Sequence, residues 1–225
     1  SGQLKLKDSV SANYENKSSY AVTVTATDSG GLTTSQAFTV TVNDINEAPT
    51  AIALSATAIN ENAAGAVVGT LTTTDEDAGD THTYTLTGDD AEFFEVVSSS
   101  GQLKLKDTVS ANYENKNSYA VTVTATDSGG LTTSQDFTVT VTDINEAPTA
   151  IALSATAINE NAAGAVVGTL TTTDEDAGDT HTYTLSGADG DSFEVVSGQL
   201  KLKDSVSANY ENKSSYAVTV TATDS

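Results

Sequence analysis

The chain has 225 residues, with nine basic side chains (all lysine), 31 acidic ones and a net charge of -22. Such a surface cannot neutralise phosphates or dock on an anionic bilayer, so nucleic acid and membrane-surface partners are excluded and cations are the natural counter-charge. Cysteine, methionine and tryptophan are all absent, which removes disulfides and zinc–thiolate chemistry and leaves any small domain in need of another staple.

No apolar run approaches the 18 residues of a membrane span, so this segment inserts in no bilayer, and no leader pattern opens it. Self-similarity organises everything else. SGQLKLKD begins at Ser1, Ser100 and Ser197, giving periods of 100 - 1 = 99 and 197 - 100 = 97 residues. A period near 100 is too long for a solenoid coil and predicts a string of whole domains. The expected boundaries are residues 1–48, 49–147 and 148–225.

Residues 1–48 are expected to hold the last three strands of a unit: QLKLK, YAVTVTA and AFTVTV. In 49–147 seven strands are predicted, centred on AIALSA, AVVGTLTTT, THTYTL, FFEVV, QLKLK, YAVTVTA and DFTVTVT. The signal is period-two alternation. Tyr119, Val121, Val123 and Ala125 share one face against Ala120, Thr122 and Thr124, and Leu103 and Leu105 alternate with Lys104 and Lys106. Turn residues such as DSGG (127–130) and TGDD (87–90) separate the runs. Residues 148–225 repeat the pattern without its seventh strand. Seven short strands in about 100 residues read as an all-β, Greek-key, immunoglobulin-like sandwich, here in a tandem linear array, with helix near absent. Two accounts of the partial outer units are open: a window on a longer repeat chain, or completion of the units by strands from another copy.

The carboxylates sit where strands end: Asp75 and Asp77 after GTLTTT, Asp127 after YAVTVTAT, Asp143 after DFTVTVT, with Glu61 in INEN and Glu114 in ANYEN. Clustered at the poles of a sandwich they repel one another, and hard divalent cations with oxygen ligands are the natural relief.

The motifs xEN, xYE, DxNExP, DxD and ATDxGG occur in this order over the whole chain. That set resembles the calcium apparatus of cadherin repeats, and most of all the bacterial cadherin-like repeats of large surface adhesins. The resemblance implies calcium between consecutive domains, two or three ions per junction. The earlier domain gives the Glu of xEN, the Glu of xYE and the linker, and the later one gives DxD and the final Asp. Carried over by motif, one junction offers Glu15, Asp44, Asn46 and Glu47 with Asp75, Asp77 and Asp127. The other offers Glu61, Glu114, Asp143, Asn145 and Glu146 with Asp174, Asp176 and Asp224. The backbone carbonyls of Ile45, Ile144, Ala48 and Ala147 are further candidates. Two departures bear on the outermost ion. Asn13, Asn112 and Asn209 stand where the family has an acid, and DINEAP is one residue shorter than the DxNDNxP of animal cadherins.

Competing chemistry finds little support. DEDAGD is not an EF-hand, because the twelfth position from Asp75 is Leu86 where a bidentate Glu is needed. His82 and His181 occur once per unit and read as surface or edge-strand residues, since zinc wants about four ligands. No GxSxG turn is present, and the carboxylate pairs lack an apolar pocket, so no enzyme is expected. The threonine runs suggest ice binding only if they align, and they read as lying on separate strands. The reading that follows is a calcium-rigidified extender repeat of an extracellular or cell-surface adhesin or matrix fibre. Its partners are calcium, further copies of the repeat in cis, and laterally associated copies. The alternative is a lectin-like module gripping sugar hydroxyls through calcium.

Overall fold

A computed structural model describes residues 2–225. The chain divides into two compact units, Ser1–Thr142 and Asp143–Ser225.

The first unit contains a complete sandwich. Its strands are β3 (Ala51–Leu54), β4 (Ala58–Asn60), β5 (Val67–Thr74), β6 (Thr83–Thr87), β7 (Phe94–Val97), β8 (Gln102–Leu105), β9 (Ser118–Thr126) and β10 (Thr132–Thr142). One sheet runs β3-β5-β8-β7 and the other β4-β10-β9-β6, which is the Greek-key arrangement that period-two alternation predicts. The first predicted strand is split. β3 pairs with β5, and after a short break β4 crosses to the opposite sheet and pairs in parallel with β10 through Ala58, Ile59 and Asn60. Ile59 is buried there, so the crossing closes the sandwich edge with an apolar side chain. Helix is confined to two short 3-10 turns among the described residues, Ala91–Phe93 and Gly190–Ser192.

The alternation translates directly into packing. Leu103, Leu105, Val123 and Val139 are completely buried, each worth about 1.5–3 kcal/mol relative to exposure. Phe93 and Phe94 meet Tyr119 edge-on at 5.6 and 5.7 Å between ring centres. The threonines lie on separate strands, as expected, but those strands are adjacent. β6, β9 and β10 are neighbours, and their outer faces align Thr85 with Thr124 and Ser134, and Thr83 with Thr126 and Thr132. Their hydroxyls are used across strands, as in the 2.8 Å contact of Thr124 with Ser134. Asp136 falls into the same ladder beside Thr122, so a charge interrupts the hydroxyl array.

The first unit also holds a hairpin, β1 (Ser19–Thr27) with β2 (Thr33–Thr41). Three strands are expected in residues 1–48, and only two form. Residues 3–7 are not a strand. Their counterpart β8 is held between β5 and β7, and nothing equivalent flanks residues 3–7 among the described residues.

The second unit repeats the plan with β11 (Ala150–Leu153), β12 (Val166–Thr173), β13 (Thr182–Ser186), β14 (Phe193–Val196), β15 (Gln199–Leu202) and β16 (Thr219–Thr223). Its sheets are β11-β12-β15-β14 and β13-β16 around Leu170, Phe193, Leu200, Leu202 and Ala208. Residues 157–159, the counterpart of β4, are not a strand here. The only ladder that holds β4 is with β10, and the second unit has no such neighbour among the described residues. No helix of the described residues is long and apolar enough to cross a membrane.

Candidate metal centre

The segment from Asp44 to Pro49 joins the hairpin to the sandwich and brings Asp44, Asn46 and Glu47 to the pole where β5 and β9 end. The Glu47 N–H donates to Oδ2 of Asp77 across 2.8 Å, and the Asn46 side-chain amide donates to Oδ2 of Asp127 across 3.0 Å. Asp77 follows β5 and Asp127 follows β9, so the linker is tied to both sheets. A turn after β9 holds Asp127 in place, its Oδ1 accepting the Leu131 N–H at 2.8 Å. Asp75 is held from two sides: Oδ1 accepts the Asp77 N–H at 3.2 Å, and Oδ2 lies 2.9 Å from Nε2 of His82.

Two groups of carboxylates result. Glu15, Asp44, Glu47 and Asp77 each offer an oxygen within 4.8 Å of the others, and so do Asp75, Asp80 and Asp127. The first group therefore joins the xYE glutamate, the linker and the DxD motif, residues up to 62 positions apart in sequence. Among the described residues no lysine pairs with any of these seven acids. Oε2 of Glu47 and Oδ2 of Asp80 are buried without a hydrogen-bond partner among the described residues.

The electrostatics report the same crowding. Burial, followed by the charges of Glu15, Asp77, Glu76 and Asp44, pushes the Glu47 carboxyl above its ordinary value. Asp127 is only 6% exposed. Its burial works against ionisation, but the Asn46 amide and the N–H groups of Leu131, Gly130 and Gly129 outweigh it and hold the carboxyl below the ordinary range. The site thus combines a donor-rich pocket for one carboxylate with an uncompensated cluster around another.

A divalent ion fits this donor set. All the side-chain ligands on offer are oxygens, two of the oxygens are buried with nothing to bond, and the charge of seven carboxylates has no lysine opposite it. That chemistry suits calcium, which takes six to eight oxygens in flexible geometry, better than magnesium or zinc.

In the second unit the same motif contacts recur. The Glu146 N–H donates to Asp176 Oδ2 at 2.7 Å, the Asp176 N–H to Asp174 Oδ1 at 3.4 Å, and His181 Nε2 lies 2.8 Å from Asp174 Oδ2. The hydrogen bond from His181 is the main reason the Asp174 carboxyl sits below its ordinary range. Oδ2 of Asp179, the counterpart of Asp80, is again buried and unbonded among the described residues. On the first unit, Glu61 is 1% exposed and accepts the Tyr113 N–H at 2.8 Å, with Glu114 the next residue along. In the second unit the equivalent bond runs from the Tyr210 N–H to Glu160 at 3.0 Å.

The family with which these features agree is the one the motifs resemble. Residues 55–142 match the family model of the Cadherin domain. The chain is 32% identical over 215 residues to human Cadherin EGF LAG seven-pass G-type receptor 2, spanning 91% of this chain and 7% of that protein. It is 29% identical over 227 residues to human Protocadherin Fat 1, spanning 94% of this chain and 5% of that protein. The chain thus corresponds to a small part of each of these relatives. In fold it is similar to the Protocadherin GammaB4 extracellular domain, with a TM-score of 0.72 at 22% identity over 96% of this chain and 35% of that one.

Three residues around these carboxylates escape the motif reading. Asp80 is placed with Asp75 and Asp127 although no expected motif includes it. Its spacing in DEDAGD, five residues after Asp75 in a loop that must fold back, is the only trace of it in the sequence. The histidines are part-buried, and His82 directly precedes the edge strand β6. The side chains of His82 and His181 are 12% and 13% exposed, each against the aspartate that opens the same loop, a contact that the alternation of the following strand does not record.

Proposed function

We propose that the chain is part of a calcium-stiffened extender array of cadherin-type repeats in an extracellular adhesin or matrix fibre of the bacterial kind, and that it is not an enzyme. The repeats divide at residues 1–48, 49–147 and 148–225. At the first junction Glu15, Asp44, Glu47 and Asp77 hold one ion. Asp75, Asp80 and Asp127 hold another, with the Asn46 side chain as an oxygen donor once it leaves Asp127. The backbone carbonyls of Ile45 and Ala48 are further ligands. By repetition Glu61, Glu114, Asp143, Asn145 and Glu146 with Asp174, Asp176 and Asp224 serve the second junction. Two or three ions per junction are the expected load.

The observation that carries this reading is the unneutralised grouping of Glu15, Asp44, Glu47 and Asp77 within 4.8 Å. Cadherin domains as a family bind calcium, and here linker and loop carboxylates from both sides of a repeat boundary converge without a lysine. When bound, the ion supplies positive charge that offsets their repulsion. The protein's part is to orient the carboxylates: His82 and the Asp77 N–H fix Asp75, the Glu47 N–H fixes Asp77, and the turn after β9 fixes Asp127. Rigidity of the boundary follows, because separating the repeats exposes the charge again. Near-identical repeats suit an extender that lengthens by copying, whereas one active site needs no copies. The lack of tryptophan removes the side chain by which animal cadherins exchange strands, so projection and fibre building fit this array better than homophilic pairing.

Small-angle scattering of the chain in calcium and in chelator tests the proposal. Chelation is expected to increase flexibility and shorten the maximum dimension. Identical profiles overturn it.

A further inference from the structure

Among the described residues other than glycine, three have a positive φ: Asn62 at 60°, Asn161 at 63° and Ser197 at 49°. The first two occupy the same place in consecutive repeats, the final Asn of xEN. A left-handed residue with a Cβ is strained, and asparagine tolerates that strain far better than a β-branched residue does. The same strain at one motif position in two repeats points to a contact that depends on it.

Asn62 follows Glu61 just past the end of β4, and the turn there lays the next residues along the segment that leads into xYE. The Asn62 N–H donates to the Ala111 carbonyl at 2.9 Å, and the Gly65 N–H donates to the Val109 carbonyl at 3.0 Å. Glu61 closes this seam with its side chain, Oε2 accepting the Tyr113 N–H at 2.8 Å. The second unit repeats all three bonds. There the Asn161 N–H donates to Ala208 at 2.9 Å, the Gly164 N–H to Val206 at 3.2 Å, and the Tyr210 N–H to Oε2 of Glu160 at 3.0 Å. Tyr113 immediately precedes Glu114. Glu61 and Glu114 therefore share one support: the backbone next to Glu114 is held by the Glu61 carboxylate, and the chain after Glu61 is turned onto the same segment by Asn62.

We propose that Asn62 is a positioning residue for the calcium ligands Glu61 and Glu114 of the second junction, acting through its left-handed backbone. The inference rests on the calcium reading above. With Asn62 left-handed, the two glutamates are fixed relative to each other before an ion arrives, so binding does not have to order two loops. An ordinary negative φ at residue 62 would swing the following chain away from Ala111 and Val109 and loosen the bond between Glu61 and the Tyr113 N–H. Glycine reaches positive φ without a steric penalty, so it should serve at this position, whereas valine should not.

Substitutions at residue 62 in the full chain test the role. N62G is expected to bind calcium at the second junction within about twofold of the unsubstituted chain, and N62V about tenfold more weakly, a loss typical when the support of a metal ligand is removed. N161V places the same strain at the same motif position beside Glu160, which belongs to neither ligand set, so both junctions should keep their affinity. In chelator, amide exchange at Tyr113 should quicken in N62V and not in N62G, while the core amide of Val123 stays protected in both. If calorimetry detects no calcium uptake by the unsubstituted chain, the calcium reading fails and this inference with it. If calcium binds, the positioning role alone is overturned by N62V matching N62G in affinity, by N161V weakening binding as much as N62V, or by equal Tyr113 exchange in N62V and N62G.

Discussion

Nε2 of His82 lies 2.9 Å from Oδ2 of Asp75, with both side chains almost wholly buried. The contact is repeated by His181 and Asp174 at 2.8 Å. The imidazole therefore fixes the rotamer of a carboxylate whose other oxygen accepts the Asp77 N–H. Groups that orient metal-binding carboxylates from behind typically contribute about 10–100-fold to affinity. His82→Ala is expected to weaken calcium binding at the first junction about tenfold by titration calorimetry. Unchanged affinity would show that Asp75 is positioned by its loop alone.

Much of the fold and part of the site are legible in the sequence, and the division has a physical basis. Leu103, Leu105, Tyr119, Val121 and Val123 announce their strands because an alternating strand must face a core on one side. β4 is not legible, because three residues gain strand geometry only from a neighbour 82 positions away. The failure of residues 3–7 to form a strand has the same cause with the opposite sign. The motif resemblance carries Asp44 and Glu47 in the linker, and Asp75, Asp77 and Asp127 just past the ends of β5 and β9, as candidate ligands. Asp80 and His82 are brought in by the return of one loop, which no periodicity records.

Glu47 is the strained member of the cluster, its carboxyl raised by burial and by four acidic neighbours. A raised carboxylate pKa means that the folded state holds its proton longer than the unfolded state. In chelator this group's contribution to stability is therefore lost as pH climbs from the ordinary value of 4.5 through the raised one. Glu47→Gln removes the charge and should raise the melting temperature in chelator at neutral pH. In calcium the same substitution replaces a charged carboxylate ligand by a neutral amide oxygen and should lower it. Calorimetry that shows a shift of the same sign in both conditions would contradict a metal-binding role for Glu47.

Asp90 behaves in the opposite way. It is 6% exposed, accepts the Ala120 N–H at 2.8 Å and pairs with Lys116. Burial raises its pKa, but the lysine and the backbone donor outweigh that and leave it below 3.8. Its contribution is full above the unfolded value and is lost as pH falls through the depressed one. Asp90→Ala should destabilise the sandwich by about 2 kcal/mol at neutral pH, the cost of leaving a buried donor unpaired. The difference from the unsubstituted chain should shrink on acidification below pH 3.8. A deficit measured by denaturant unfolding that does not diminish with acid would place the loss in packing.

Gly129 bears on the ion site without belonging to it. A Cβ built there falls 2.3 Å from Oδ1 and 2.4 Å from Cγ of Asn46, too close for the amide to stay where it donates to Asp127. The obstructed atoms are the end of a movable side chain, and Gly129 has no left-handed backbone requirement, so alanine displaces Asn46 at little cost to the sandwich. In the first segment the equivalent Gly30 has only the Asp28 carboxylate nearby, at 3.4 Å. Gly129→Ala is expected to leave the unfolding free energy in chelator within about 0.5 kcal/mol of the unsubstituted chain, while calcium affinity falls severalfold. Gly30→Ala should change neither. A comparable loss of calcium affinity in both variants would mean that the turn itself, and not the place of Asn46 in the linker, governs the ion site.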